Sequence, residues 1–247
     1  MKTVSILVSC LLILFSCSYF LFHFRPGLPQ KHQIQNIVEK IAPKPTEIIE
    51  ETQLPDRHLI RTAFIPQSPE KNWNQPWQDA CEEASLLNVY FYYQEQKPDI
   101  PQMLSAYQKL FDYQQEKKWT HDINLTQMAT MSADLWGYQT KIVENPSLDD
   151  IKTTISQNIP VIATANGKTL FKENKNFKNG GPWYHSLVIL GYDDDQQQFI
   201  VHDVGTRLGA YFRYSYQILL ESIHDLHPSH KKEDIDQGSS RVLLLLK

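Results

Sequence analysis

Cys81 lies in the run Gln75-Pro76-Trp77-Gln78-Asp79-Ala80-Cys81-Glu82-Glu83-Ala84-Ser85, at the expected first turn of a helix. A neutral thiol is a poor nucleophile, whereas a thiolate is a good one and is favoured by the positive end of a helix. No other cysteine follows the apolar N-terminus, so the thiol has no disulfide partner there and its reactivity needs explaining. The proton acceptor it would need is His185, in Trp183-Tyr184-His185-Ser186-Leu187-Val188-Ile189-Leu190-Gly191-Tyr192. With a period of two, His185 shares a face with Leu187 and Ile189, which turns its ring toward packed protein or a cleft. Asp203, in Phe199-Ile200-Val201-His202-Asp203-Val204-Gly205-Thr206-Arg207, falls on the face of Phe199 and Val201. A hairpin through Asp193-Asp194-Asp195 would bring the two inward faces together as a base and the carboxylate that orients it. Gln75 is placed upstream of the thiol so that its amide, with the Cys81 backbone N–H, can donate to the oxyanion of a tetrahedral intermediate.

Each of these residues also has a plainer role open to it. A lone helical cysteine is often a small buried hydrophobe. His185 can be a hydrogen-bonded core histidine, and Asp203 a turn-capping aspartate before Val204-Gly205-Thr206. His202 competes for the histidine role, but on a regular strand it points away from Asp203 and is read as structural.

The elements that must carry these side chains change character along the chain. Helices are expected at Asp79 to about Gln94, with Asp79 and Glu82 as a capping box and Ala80, Ala84, Leu87 and Phe91 on one stripe. Met103 to Tyr113, Thr126 to Trp136 and Leu148 to Ile155 read as further helices. Strand-like runs follow at Pro160 to Thr164, Tyr184 to Tyr192, Gln198 to Val204 and Val242 to Leu246, separated by turn-forming residues. Lys168 to Asn179 reads as a surface loop. Helices first and a mostly antiparallel sheet afterwards define the α+β class.

The chain has 247 residues, 41% hydrophobic and 21% charged, which is globular composition sufficient for one domain with a substantial core. Twenty-four Lys and Arg against 28 Asp and Glu give a net charge of −4, and no stretch interleaves basic and aromatic residues. Nucleic acid is not an expected partner. No Cys-x2-Cys or His-Glu-x2-His spacing occurs, so neither a metal nor another cofactor is expected. The acidic run Asp193-Asp194-Asp195 reads as a solvated hairpin turn, and Asn124-Leu125-Thr126 as a glycosylation acceptor only in a glycosylating pathway.

Val4 to Phe24 contains no Asp, Glu, Lys or Arg and is long enough, as a helix, to span a bilayer. Residues 1–25 are therefore expected to be a membrane anchor, or alternatively a cleaved signal or, from Leu7-Val8-Ser9-Cys10, a lipid-modified segment. Residues 26–60, rich in Pro, Glu, Lys and Gln, read as a stalk, and residues 61–247 as the folded domain. The expected location is membrane-anchored with the domain on the exported side, or secreted if the segment is cleaved.

Gln75-x5-Cys81 followed by Glu82 to Leu87, His185 to Asp193 and Val201 to Gly209 together resemble the C39-like group of papain-fold cysteine peptidases, over about residues 61 to 247. Many members carry Cys-Gly-Pro where this chain has Cys81-Glu82-Glu83. The resemblance implies a papain-like fold, with the nucleophile at a helix start and the His and Asp on the sheet. It implies Gln75 as oxyanion donor, Cys81 as nucleophile, His185 as base and Asp203 as its orienter, acting on a peptide or protein through an acyl-enzyme thioester. Two other readings stay open. One is cell-wall amide hydrolysis or transpeptidation, and the other a membrane-tethered binding or scaffold protein without turnover.

Overall fold

A computed structural model describes residues 54–247. Val4 to Phe24 and most of the expected stalk lie outside the described residues, and no helix among those described is long and apolar enough to cross a membrane. The elements run β1 (Arg57–Leu59), α1 (Cys81–Tyr93), α2 (Ile100–Lys117), α3 (Leu125–Trp136), β2 (Gln139–Glu144), α4 (Leu148–Ser156) and β3 (Val161–Asn166). They continue α5 (Gly167–Leu170), β4 (Tyr184–Asp193), β5 (Gln198–His202), β6 (Phe212–Ser215), α6 (Tyr216–Ser222) and β7 (Arg241–Leu246). Helices of the first half thus precede most of an antiparallel sheet ordered β2-β7-β3-β4-β5-β6, with β1 added along β4.

Three of the longer helices open on side chains that satisfy their first backbone N–H groups. Asp99 with Gln102, Asn124 with Gln127 and Ser147 with Asp150 all form reciprocal capping boxes. Asn124, in the Asn124-Leu125-Thr126 run, is therefore an N-cap whose side-chain oxygen accepts from the Gln127 N–H. Helix α1 differs. Its N-cap is Ala80, with no side-chain cap, so the capping box expected from Asp79 and Glu82 does not form. Glu82 turns inward instead, to Cys81 and the backbone N–H of Ile123.

That inward turn follows from where α1 lies. Its residues from Cys81 through Val89 are all buried, polar ones included, because the helix is covered by the sheet on one side and by α2 and α3 on others. A helix buried all round loses the usual amphipathic stripe. The core around it includes Leu86, Leu87, Tyr107, Leu110, Met128, Leu187 and Phe199, and each fully buried aliphatic side chain contributes about 1.5–3 kcal/mol. Trp77, in the short 3-10 turn before α1, packs edge-on against Tyr107 and Phe111.

Strand β1 shifts the domain boundary. Arg57, His58 and Leu59 pair with Asp193, Tyr192 and Gly191, so the fold includes residues before position 61. The close approach requires a glycine, since a Cβ on Gly191 would lie 2.6 Å from the His58 carbonyl oxygen. A three-residue strand carries no period that the sequence could show. The hairpin aspartates are less solvated than expected. Asp193 is buried and bridges Arg57 and Arg213, while Asp194 takes Lys152 and the Tyr216 hydroxyl.

Two buried titratable groups make stability depend on pH in opposite senses. Burial pushes the His202 imidazole from its usual 6.5 down to about 4, so its contribution is lost as pH falls from about 6.5 through 4. Burial raises Glu83 from 4.5 to about 8, and both of its carboxyl oxygens lack hydrogen-bond partners. Its contribution is present below 4.5 and is lost as pH rises through 8. Glu83→Gln is expected to raise the urea midpoint at pH 8 with little change at pH 4.5, and His202→Gln to flatten the decline between pH 6.5 and 4. Urea titrations across pH check both.

Candidate functional site

His185 is the second residue of β4 and is 2% exposed. Its Nε2 lies 2.9 Å from Asp203 Oδ1, just past the end of β5. The pairing of Val188 with His202 and Ile189 with Val201 sets this register, which leaves His185 and Asp203 on the face opposite His202. Asp203 is fully buried. Its other oxygen, Oδ2, accepts from Tyr214 Oη at 2.5 Å and Asn174 Nδ2 at 2.8 Å. Burial alone would raise this carboxyl, but His185, Tyr214 and Asn174 outweigh it and hold it below the usual range. Phe177 packs edge-on over the imidazole at 5.2 Å. Gly205 leaves room for the ring, since a Cβ there would stand 2.8 Å from His185 Cε1.

With Nε2 given to Asp203, the neutral ring carries its proton there and keeps its lone pair on Nδ1. Nδ1 is thus the nitrogen able to take a thiol proton. The hydrogen bond to Asp203 fixes the orientation of the ring.

Cys81 is the first residue of α1 and is 4% exposed. Ser85, one turn on, meets Ser186, and Asn88, nearly another turn on, meets His202 opposite Val188. Helix α1 therefore runs alongside β4 in the same direction, and Cys81, about 6 Å before Ser85 along the axis, reaches the end of β4 that bears His185. The thiol does not bond to that histidine. It donates to Glu82 Oε2 at 2.9 Å. Burial pushes the thiol well above its ordinary range, and Glu82, Asp122 and Glu83 add to the rise. Glu82 is itself raised, by burial first and then by Glu83. In this arrangement Cys81 is a protonated thiol held by a carboxyl.

Gln75 is exposed, and its amide donates to Asp79 Oδ2 at 2.5 Å. That departs from the expected placement beside the Cys81 N–H, because the nearby carboxylate of Asp79 captures the amide once it is released from capping α1. A different glutamine is buried against the turn that precedes α1. Gln67 is 4% exposed, and its Nε2 donates to the carbonyls of Trp77 and Gln78 at 2.9 and 2.8 Å. Its backbone N–H reaches the Val204 carbonyl, next to Asp203. Sequence reasoning missed Gln67, Asn174, Tyr214 and Phe177, and nothing in their local spacing could have found them. Asn174 and Phe177 lie in the segment expected to be a surface loop. Among the described residues no group of three His, Cys, Asp or Glu is placed to hold a metal ion.

The family comparison agrees with the motifs. The model of the Peptidase_C39 like family matches residues 63–224, and the chain belongs to that family. A crystal structure of a protein assigned as a C39-like peptidase, from Bacillus anthracis, is similar to it at 14% identity and a TM-score of 0.33. That likeness covers 51% of this chain and spans 60% of the other, and at that score it adds no weight to the fold. No curated protein matches the chain.

The two glutamines are separable by substitution. Gln67→Ala frees the turn that sets the start of α1 and should slow iodoacetamide labelling of Cys81 at pH 7 by about tenfold more than Gln75→Ala does. Labelling rates read by mass spectrometry test this, and equal effects would return Gln75 to the position expected from sequence.

Proposed function

We propose that the chain is a thiol peptidase of papain-like layout in which Cys81 attacks a peptide carbonyl. The observation that supports the reading is the buried His185–Asp203 hydrogen bond, with Ser85 and Asn88 of α1 meeting Ser186 and His202 so that Cys81 stands toward the same end of β4. For the reaction the thiol leaves Glu82 and turns to His185 Nδ1, which accepts its proton while Asp203 steadies the imidazolium. The sulfur adds to the carbonyl carbon, and the oxyanion is met by the Cys81 backbone N–H, one of the donors a helix start leaves without an intrahelical partner. Gln75 joins it only by releasing Asp79. His185 then returns the proton to the leaving amine, and a water that it activates hydrolyses the thioester. The substrate class is a peptide or protein. Cell-wall amide hydrolysis and transpeptidation use the same steps with a different acyl donor or acceptor.

A second reading, a binding protein on the same fold, is favoured by the Cys81–Glu82 hydrogen bond, which keeps the thiol protonated. Val4 to Phe24 supports a membrane tether, for which extraction by detergent and not by alkaline carbonate is the expected behaviour of the full chain.

The catalytic reading is tested by the pH dependence of iodoacetamide labelling at Cys81, in the wild type and in His185→Ala. A working pair gives labelling that persists well below pH 8 and is lost in the variant, with Cys81→Ala folded and inactive toward a peptide library. An ordinary thiol profile in both proteins rejects it and supports the binding reading.

A further inference from the structure

His185 is flanked on β4 by two polar side chains, Tyr184 and Ser186, which point from the other face of the strand toward α1. Each begins a short chain of hydrogen bonds that ends at Cys81 or its immediate neighbour. The Tyr184 hydroxyl donates to the Ile123 carbonyl at 2.8 Å, and the Ile123 N–H donates to Glu82 Oε1 at 2.9 Å. The Ser186 hydroxyl donates to the Ser85 hydroxyl at 2.8 Å, which donates to the Cys81 carbonyl at 2.8 Å. Ser85, Ser186, Ile123 and Glu82 have no exposure to water. No solvent stands ready to replace a missing partner, so each link is retained or left unsatisfied.

These two chains span the distance that matters for the chemistry. Cys81 sits on a helix and His185 on a strand, and no hydrogen bond joins them directly. Their separation is set by whatever joins the residues on either side. One strut runs through the segment before α3 and the other passes directly between α1 and β4. Two separate connections fix both spacing and rotation, where one would leave α1 free to pivot.

We propose that Tyr184 and Ser186 are positioning residues that hold the start of α1 in register with the His185-bearing end of β4, through Ile123 and Glu82 on one side and Ser85 on the other. The proposal rests on the catalytic reading above. Neither side chain touches substrate or reacting atoms. Each acts by holding the start of α1, and with it Cys81, at the end of β4 that carries His185. Small displacements of a reacting pair are costly, about a hundredfold in rate for a shift of 1 Å, so losing a strut should affect reactivity out of proportion to its effect on folding.

The test uses full-length protein carrying Tyr184→Phe, Ser186→Ala and the double substitution. Ser132→Ala is the control. Ser132 is equally buried on α3, and its hydroxyl donates only within its own helix, to the Ala129 carbonyl. Labelling of Cys81 by iodoacetamide is followed from pH 5 to 9 alongside the melting temperature. Each single strut variant is expected to label about tenfold more slowly than wild type at pH 7, and the double variant about a hundredfold more slowly. Their profiles should move toward that of His185→Ala. Ser132→Ala should lower the melting temperature without moving the profile. Strut variants that melt lower but keep the wild-type profile would overturn the proposal while leaving the catalytic reading intact. A wild-type profile already indifferent to His185→Ala would overturn both.

Discussion

A carboxylate with no access to water has its charge answered by hydrogen bonds or not at all, and at Asp203 three donors answer it: His185, Tyr214 and Asn174. Those donors come from β4, from β6 and from the segment between α5 and β4, so satisfying one buried ion fixes three parts of the chain around it. The hairpin of β4 and β5 brings Asp203 to His185, the short β6 exists beside β5 to deliver Tyr214, and the α5 segment folds down to deliver Asn174. Each partner is positioned by the sheet, and the sheet's register is in turn made costly to alter, because a one-residue slip would strand the carboxylate.

The opposite face of β4 works by a different rule. There Ser186, and His202 opposite Val188, meet Ser85 and Asn88 of a helix that is buried on nearly every side. Polar contacts inside a core carry direction that apolar packing lacks, and this set aligns α1 with β4 and fixes which residue of the helix stands at its end. Cys81 is at that end. The local surroundings nevertheless oppose its ionisation, since Glu82, Glu83 and Asp122 all lie close enough to raise the thiol. The favourable field of a helix N-terminus is thus outweighed by burial and neighbouring acids.

How much of this was legible in the sequence depended on range. The alternation in Tyr184 to Tyr192 placed His185 on an inward face, and the following hairpin placed Asp203 beside it, because both features are local and period two is easily read. Helices α2, α3 and α4 were visible for the same reason, though α2 begins earlier than expected, at a capping box on Asp99. Strands β2 and β6 were not anticipated. The outward, mixed pattern of Gln139-Thr140-Lys141 and the brevity of Phe212 to Ser215 leave little periodicity to read. The start of α1 was misjudged for a long-range reason: Glu82 answers to Ile123, and Gln75 to a carboxylate released from capping, so propensity gave way to tertiary contacts. Gln67 and Asn174 matter only through partners that a linear reading cannot place next to them.

The order of strands carries a consequence for how the domain comes to exist. Strand β7 lies between β2 and β3, pairing Gln139 with Leu246 on one edge and Val161 with Leu244 on the other. During synthesis β2 therefore emerges without either edge satisfied and waits for a partner made after everything else in the sheet. The hairpin of β4 and β5, with the His185–Asp203 pair, can assemble earlier because its contacts are short in sequence. The last strand acts as a closing stitch. Until it threads between its neighbours, the facing backbone edges of β2 and β3 remain open to other nascent chains, and that interval is when the polypeptide is most exposed to misassembly.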